Sequence, residues 1–395
     1  MVLATATACG ASVAADQLAS ETLRLGPTSP STAGTGPANP STASSQSPTH
    51  TLAAGDTPRK VKIASAGDFL IHRSVWNKAI AYGGSVTAMN FEPMIADVEP
   101  VISRADFAIC HLDTPLAPAH GPFASDPVFS TAPQIVKTGI KAAGFDTCST
   151  VSNHALDGGF AGIERTIGAF EAVRVGHSGT ARSAAEAAIP PIFNVKGVKI
   201  AHLAYTDALN GNKPDADKPW SVNMITADKI IADAKAARAR GAEIVVVSLH
   251  SGTEDVAAPN DQQKNVAHAL AASGQVNLIH GISAHVVQPV AKIGNMWVAF
   301  GHGNLLTGQF EKWHRNNEGL ITQFTFTEQP DGSFAVTKGV GHPTFDDQTS
   351  VHIFDLVKAL KRDPHDARMR EAYYNTRKAV FMLGAEKDGF TIPTP

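Results

Sequence analysis

An α/β fold with central, mostly parallel sheets flanked by helices follows from three observations. Short apolar runs alternate with amphipathic helical patterns from Lys60 onward. Several runs are almost wholly apolar, 244–249 above all with Ser248 its one polar residue, as strands covered on both faces are. Five of them end in Asp, His or Asn, the place where open α/β sheets present ligand-binding loops.

The elements run in this order. A strand over 61–66 leads to Gly67-Asp68, with His72 just beyond, and helical patterns follow at 73–82 and 91–104. The strand at 107–112 delivers His111 and Asp113. A helix over 132–143 stops at Gly144, a residue suited to a left-handed C-terminal cap. The strand at 145–151 opens onto Ser152-Asn153-His154-Ala155-Leu156-Asp157, ahead of a helix at 161–173. A strand at 198–205 ends in Thr206-Asp207, and the helix 226–240 leads into the strand 244–249, which ends at His250 with Glu254 beyond. After a helix at 261–272, the strand 277–281 leads toward His285 and Gln288, and a further strand occupies 297–300. Runs at 320–327 and 333–338, joined by Pro330-Asp331-Gly332, form a hairpin pattern. Helices are expected at 353–360 and 367–383. The division expected is a leader and tether over 1–58, the α/β domain over 59–341 and a helical extension over 342–395.

With 395 residues, 43% hydrophobic and 17% charged, the chain has enough apolar material for a substantial core. A net charge of −3 leaves no basic footprint and argues against a nucleic-acid partner. No apolar run reaches the ~20 residues of a membrane-spanning helix. Leu3 to Gly10 resembles a degenerate lipoprotein cleavage site around Cys9; the alternative is chance in an Ala/Thr-rich leader. Residues 26–58, rich in Ser, Thr, Pro and Gly, bury too little apolar surface to order themselves. An exported protein tethered at the cell surface is the expected setting. Cys110 and Cys148 end apolar runs. A disulfide is open to them, although two reduced core thiols are the more ordinary reading.

Each strand-end residue alone has a bland reading: an Asp or Asn caps the next helix, and a His packs in the core. Their recurrence over five successive units points instead to one shared cleft. Carboxylate and amide oxygens with imidazole nitrogens, held on separate loops, suit a divalent cation such as Mn, Fe, Zn or Mg.

The order of these motifs resembles the CapA-type capsule-synthesis proteins, named for poly-γ-glutamate capsule assembly and similar in fold to calcineurin-like metallophosphatases. The matching stretches are Ala66 to His72, Cys110 to Leu116, Thr150 to His154 with Asp157, Val246 to His250 with Gly252 and Glu254, Ala284 to Val290, and Phe300 to Asn304. Cys110 and His111 resemble the actinobacterial branch. The resemblance implies a metallophosphatase-like sandwich with Asp68, Asp113, Asn153, His250 and His285 as metal ligands and His154 as the phosphate-contacting acid. His72, His111, Asp157, Glu254, Gln288 and His302 are further candidates. Departures from the pattern matter here. Asp113 stands where Glu is usual, Ser251 where Trp is usual, and Ser283 where the Gly-x-His-x-His segment has its first imidazole. Either one metal position is lost, or His302 or His111 refills it.

Two functions follow. One is a metal-dependent hydrolase or transferase acting on a phosphoester or related bond of an envelope polymer. The other is a non-catalytic accessory protein for poly-γ-glutamate-like polymer synthesis or export, working with a membrane synthesis complex. A glycosidase-like pair of Asp113 and Glu254 has only the two acids in its favour.

Overall fold

The computed structural model describes residues 56–309 and 315–395; the leader, Cys9 and nearly all of the expected tether lie outside them. The chain builds half of one sheet, then a whole second sheet, then returns to finish the first. Strands β1 (Lys60–Leu70), β2 (Phe107–Leu112), β3 (Thr147–Ser149) and β4 (Gly176–Ser178) run parallel in the first sheet. The second sheet takes β5 (Ile192–Val195), β6 (Val198–Thr206), β7 (Ile244–His250), β8 (Leu278–Ile282), β9 (Val290–Ile293) and β10 (Met296–Ala299), in the order β5-β6-β7-β8-β10-β9. Its central pairs β6–β7, β7–β8 and β8–β10 are parallel and its two edges antiparallel. Then β11 (Asn304–Thr307) pairs with the end of β1, while β12 (Glu318–Glu328), β13 (Phe334–Asp347) and β14 (His352–Asp355) extend the first sheet beyond it, and β15 (Phe390–Thr391) joins β13.

The two sheets face each other, and period-two alternation sorts their residues. Ile63, Phe107, Ile109, Ile200, Ile244, Val246 and Leu278 meet between the sheets. Their strand neighbours Val245, Val247 and Ile279 face the helices Ala227–Ala239 and Asp261–Ser273 on the outer side. On the other outer face, Ala108, Cys110 and Cys148 join the core under Val75, Met94 and Ile140. Caps fix the long helices: Thr226 accepts from the Lys229 amide, and Asn260 with Gln263 forms a capping box. The Arg59 guanidinium, bonded to Glu328 and Glu243, ties down the first strand's beginning. Among the described residues no helix is long and apolar enough to cross a membrane.

Several expected elements are corrected. The helix over 91–104 is two short ones, Glu92–Ile95 and Glu99–Ser103, because Pro93 and Pro100 each start a new first turn. The boundary at 341 falls inside β13, whose pairing with β12 continues to Phe345 and with β14 to Asp347, and the helix expected from 353 begins as β14 before turning helical at Leu356–Arg362. Cys110 and Cys148 lie directly opposite in β2 and β3 with Cα atoms 4.4 Å apart and are disulfide-bonded, which overturns the reduced-thiol reading.

Candidate metal centre

Strand alternation delivers the first ligand candidates. Ile109 faces the sheet interface, so His111 and Asp113, two and four residues on, point the same way. The same step on β7 carries Val246 and Ser248 to His250. Asp68 does not follow this rule. From Ile63, alternation would turn Asp68 outward, but a register shift between Ser65 and Asp68 re-aims it, as bulges beside functional sites do. Gly67 permits the bulge: a Cβ there would lie 2.0 Å from the Gly303 carbonyl oxygen.

These residues come together. One oxygen or nitrogen from each of His111, Asp113 and His250 lies within 4.8 Å of the others, and the same holds for Asp68, Asp113 and His285. Asp113 belongs to both groups. His250 Nε2 and His111 Nε2 are 3.2 Å and 3.4 Å from Asp113 Oδ1, yet neither contact has hydrogen-bond alignment. Both Asp113 oxygens, both His111 nitrogens, His250 Nε2, Asp68 Oδ1 and Asn153 Oδ1 are buried without a partner. Buried polar atoms are rarely left so; acceptors clustered around one another are what a cation would join. The residues present therefore fit a divalent metal, and they make this a candidate site for one.

The surroundings orient these groups. Thr206 Oγ1 stands 3.3 Å from His250 Nδ1, leaving Nε2 toward Asp113. Ser152 donates to the Asp113 carbonyl at 2.6 Å. The Asn153 amide donates to Asn210 Oδ1 at 3.2 Å, which turns its own oxygen away from that bond and leaves it free. His285 Nδ1 lies 3.1 Å from Asp68 Oδ2 and from Asn304 Oδ1. Ser283 and His285 both hold left-handed backbones, with φ of 94° and 55°, uncommon conformations for non-glycine residues that collect at functional sites. Burial works against Asp113 ionising, but His111 and His250 outweigh it and hold its carboxyl well below the usual range. Burial likewise opposes charge on His285, and Asp68 overrides it, raising the imidazole to about 9.

His154 stands beside the cluster. Its Nδ1 donates to Asp157 Oδ2 at 2.7 Å, and that oxygen also accepts the Phe129 amide at 2.8 Å. Burial lowers the His154 pKa, the Asp157 carboxylate raises it, and the net direction is upward. Phe129 packs edge-on between His72 and His154. The adjoining cleft, about 950 Å³, is lined by His72, Arg73, Phe129, His154, Glu254 and His285 among others.

Two candidates are corrected. Gln288 accepts from Gln263 and donates to the Val256 and Ala258 carbonyls, so it clamps a loop and has nothing left for a ligand. His302 is also committed, with Nδ1 donating to the Gly281 carbonyl at 2.9 Å and Nε2 accepting from Thr322 at 3.0 Å. His111 therefore, and not His302, reaches the cluster. Asn210 and Asn304 were missed as supporting residues. Asn304 ended a recognised motif, whereas Asn210 carries only an Asn-Gly turn signal.

The family model described as bacterial capsule synthesis protein PGA_cap matches residues 62–309. The PGA biosynthesis protein CapA of Bacillus subtilis (strain 168) is 28% identical over 248 residues, 61% of this chain and 63% of that protein. The capsule biosynthesis protein CapA of Bacillus anthracis is 25% identical over 272 residues, 67% of this chain and 64% of that one. The chain thus matches somewhat less than two thirds of the length of these relatives. Among solved structures, the NAD nucleotidase of Haemophilus influenzae overlays with a TM-score of 0.47 at 12% identity, covering 84% of this chain and 61% of that one. The calcineurin-like phosphoesterase YfkN from Bacillus subtilis overlays with a TM-score of 0.42 at 12% identity, covering 80% and 100%. The matched segment runs from β1 to just beyond β11 and contains every residue of the candidate centre, and on that match the chain belongs to the bacterial capsule synthesis protein PGA_cap family.

Proposed function

We propose that Asp68, His111, Asp113, Asn153, His250 and His285 hold divalent metal, and that the cleft hydrolyses or transfers a phosphoester or related anionic bond of an envelope polymer. The observation that carries this reading is the set of unpartnered buried donor atoms around Asp113, beside a histidine already paired to a carboxylate. The mixture of imidazole and carboxylate favours Mn, Fe or Zn over Mg. Bound there, such an ion supplies Lewis-acid polarisation and a water of lowered pKa. The chain's own residues do the rest. Asp113, kept ionised, contributes its charge to both ligand groups. His154, whose pKa the Asp157 carboxylate raises against burial, donates its proton to the leaving oxygen. Arg73 in the cleft wall offers a cation to the substrate's anionic groups.

The relatives' names, PGA biosynthesis and capsule biosynthesis protein, favour a capsule polymer or its precursor as partner; an exported setting beside a membrane synthesis complex is part of the same proposal. The second reading, an accessory protein that binds the polymer without cleaving it, is favoured by Ser283, which supplies a hydroxyl where the family pattern has an imidazole. The experiment is metal analysis of the purified chain together with turnover of a chromogenic phosphodiester under added Mn²⁺. Bound metal with turnover supports the first reading, bound metal without turnover the second. No metal above background removes the catalytic reading.

A further inference from the structure

A line of polar side chains crosses the sheet interface just beneath the candidate centre. Thr147 Oγ1 lies 3.1 Å from His202 Nδ1, and His202 Nε2 lies 2.8 Å from Ser248 Oγ. Ser248 Oγ lies 2.9 Å from His280 Nδ1, and His280 Nε2 lies 2.7 Å from the Ala66 carbonyl. His202, Ser248, His280 and Thr147 are all fully buried.

The far end fixes every proton. A carbonyl only accepts, so His280 carries its hydrogen on Nε2 and its Nδ1 is an acceptor. Ser248 therefore donates to His280 and accepts from His202 Nε2–H, which leaves His202 Nδ1 to accept from Thr147. The bonds run one way, from β3 through β6, β7 and β8 to β1, with both imidazoles neutral. Burial lowers the basicity of both histidines, in agreement with that. A chain that ends on an amide carbonyl has no proton acceptor and cannot serve as a relay.

Its position is informative. On β7 the inward residues read Ile244, Val246, Ser248, His250, so the polar layer lies one period-two step, ~7 Å, below the ligand layer. Ser248 is two residues before His250, and Ala66 is two before Asp68, beside the bulge that turns Asp68 inward. The chain starts and ends on the first sheet and passes through the second. It thereby ties together the two sheets that carry Asp68 and His250 at the level where their spacing sets the ligand geometry. Hydrophobic packing has no direction and would fill this layer without fixing that spacing.

We propose that Ser248 and His280 are positioning residues of the metal centre, holding β1 and β7 at the separation the ion requires. This rests on the reading of the cluster as a metal centre. The test titrates Mn²⁺ into the full chain and into Ser248→Ala, His280→Leu and His280→Gln, with the melting temperature of each metal-free form measured alongside. The glutamine keeps a donor for the Ala66 carbonyl. Ser248→Ala and His280→Leu should weaken Mn²⁺ binding by about 10- to 100-fold, as loss of outer-shell orienters does, with His280→Gln recovering most of it. Nitrogen chemical shifts should show His280 and His202 as Nε2–H tautomers. Unchanged Mn²⁺ affinity in Ser248→Ala, or an Nδ1–H tautomer at His280, overturns the positioning role while leaving the metal centre intact. A wild-type chain that takes up no Mn²⁺ overturns the metal reading itself, and the positioning role with it. If His280→Leu does not fold, Ser248→Ala, the smaller change, decides the matter.

Discussion

His250 Nε2 and Asp113 Oδ1 stand 3.2 Å apart in a fully buried site, and neither atom has a hydrogen-bond partner. Two lone pairs that approach this closely away from water cost free energy unless a proton or a cation lies between them. His111, 3.4 Å from the same oxygen, repeats the arrangement from β2 in the opposite sheet.

Asp113→Ala should therefore abolish Mn²⁺ uptake, since that carboxylate serves both ligand groups. His111→Ala should weaken uptake by more than the about 10- to 100-fold expected of an outer-shell change. His302→Ala is the control. It should leave metal binding unchanged and lower stability by about 1–3 kcal/mol, because the Gly281 carbonyl and the Thr322 hydroxyl lose their partner. Metal content by elemental analysis separates these outcomes, and loss of metal in His302→Ala would reverse the assignment of the two histidines.

The His154–Asp157 pair gives a kinetic expectation. His154→Ala should reduce phosphodiester turnover about 10²- to 10⁴-fold, the usual worth of a positioned acid. In Asp157→Asn the hydrogen-bonded carboxylate that raises the His154 pKa is gone, and burial and His285, which lower it, are opposed by the Asp113 charge alone. A general acid works below its pKa, so the alkaline limb of the pH–rate profile should move to lower pH. An unshifted limb would show that His154 is not the proton donor.

Much of this centre was legible in the chain. Alternation alone places His111 and Asp113 on one face of β2 and His250 two steps beyond Val246 on β7. What was not legible has local physical causes. The inward turn of Asp68 depends on a bulge supported by contact with Gly303, 235 residues on by count from Asp68 to Gly303. His302 and His111 look alike as sequence; only tertiary hydrogen bonds to Gly281 and Thr322 show which of them is committed elsewhere. The fold's edges were also hidden. Strands of three or four residues such as β4 and β5 carry too short a pattern to read, and β13 continues through Gly339 and Gly341, which read as the end of a strand.

Ser283→His tests whether the centre lacks a ligand. Ser283 is buried, on a left-handed backbone, with its amide 3.3 Å from Asp68 Oδ2. With His111 already at the cluster, an added imidazole has no vacant role, and Mn²⁺ stoichiometry should stay as in the wild type while the larger ring crowds the loop. A rise in stoichiometry together with phosphodiesterase activity would mean that His111 does not replace the missing group.

Asp346 gives the stability test. Burial pushes its carboxyl up to about 8 from an ordinary 3.8, against the opposing pull of the Thr307 amide that it accepts. Between those two values the folded chain keeps a proton that the unfolded chain has released. A rise in pH through that window therefore favours unfolding, and the penalty levels off once the folded carboxyl has itself ionised. Asp346→Asn never ionises. Its oxygen still accepts from Thr307, so the variant should melt close to the wild type near pH 4 and progressively higher than it toward pH 8. Melting curves across that range read the difference directly, and parallel curves for the two proteins would show that Asp346 is ionised in the fold throughout.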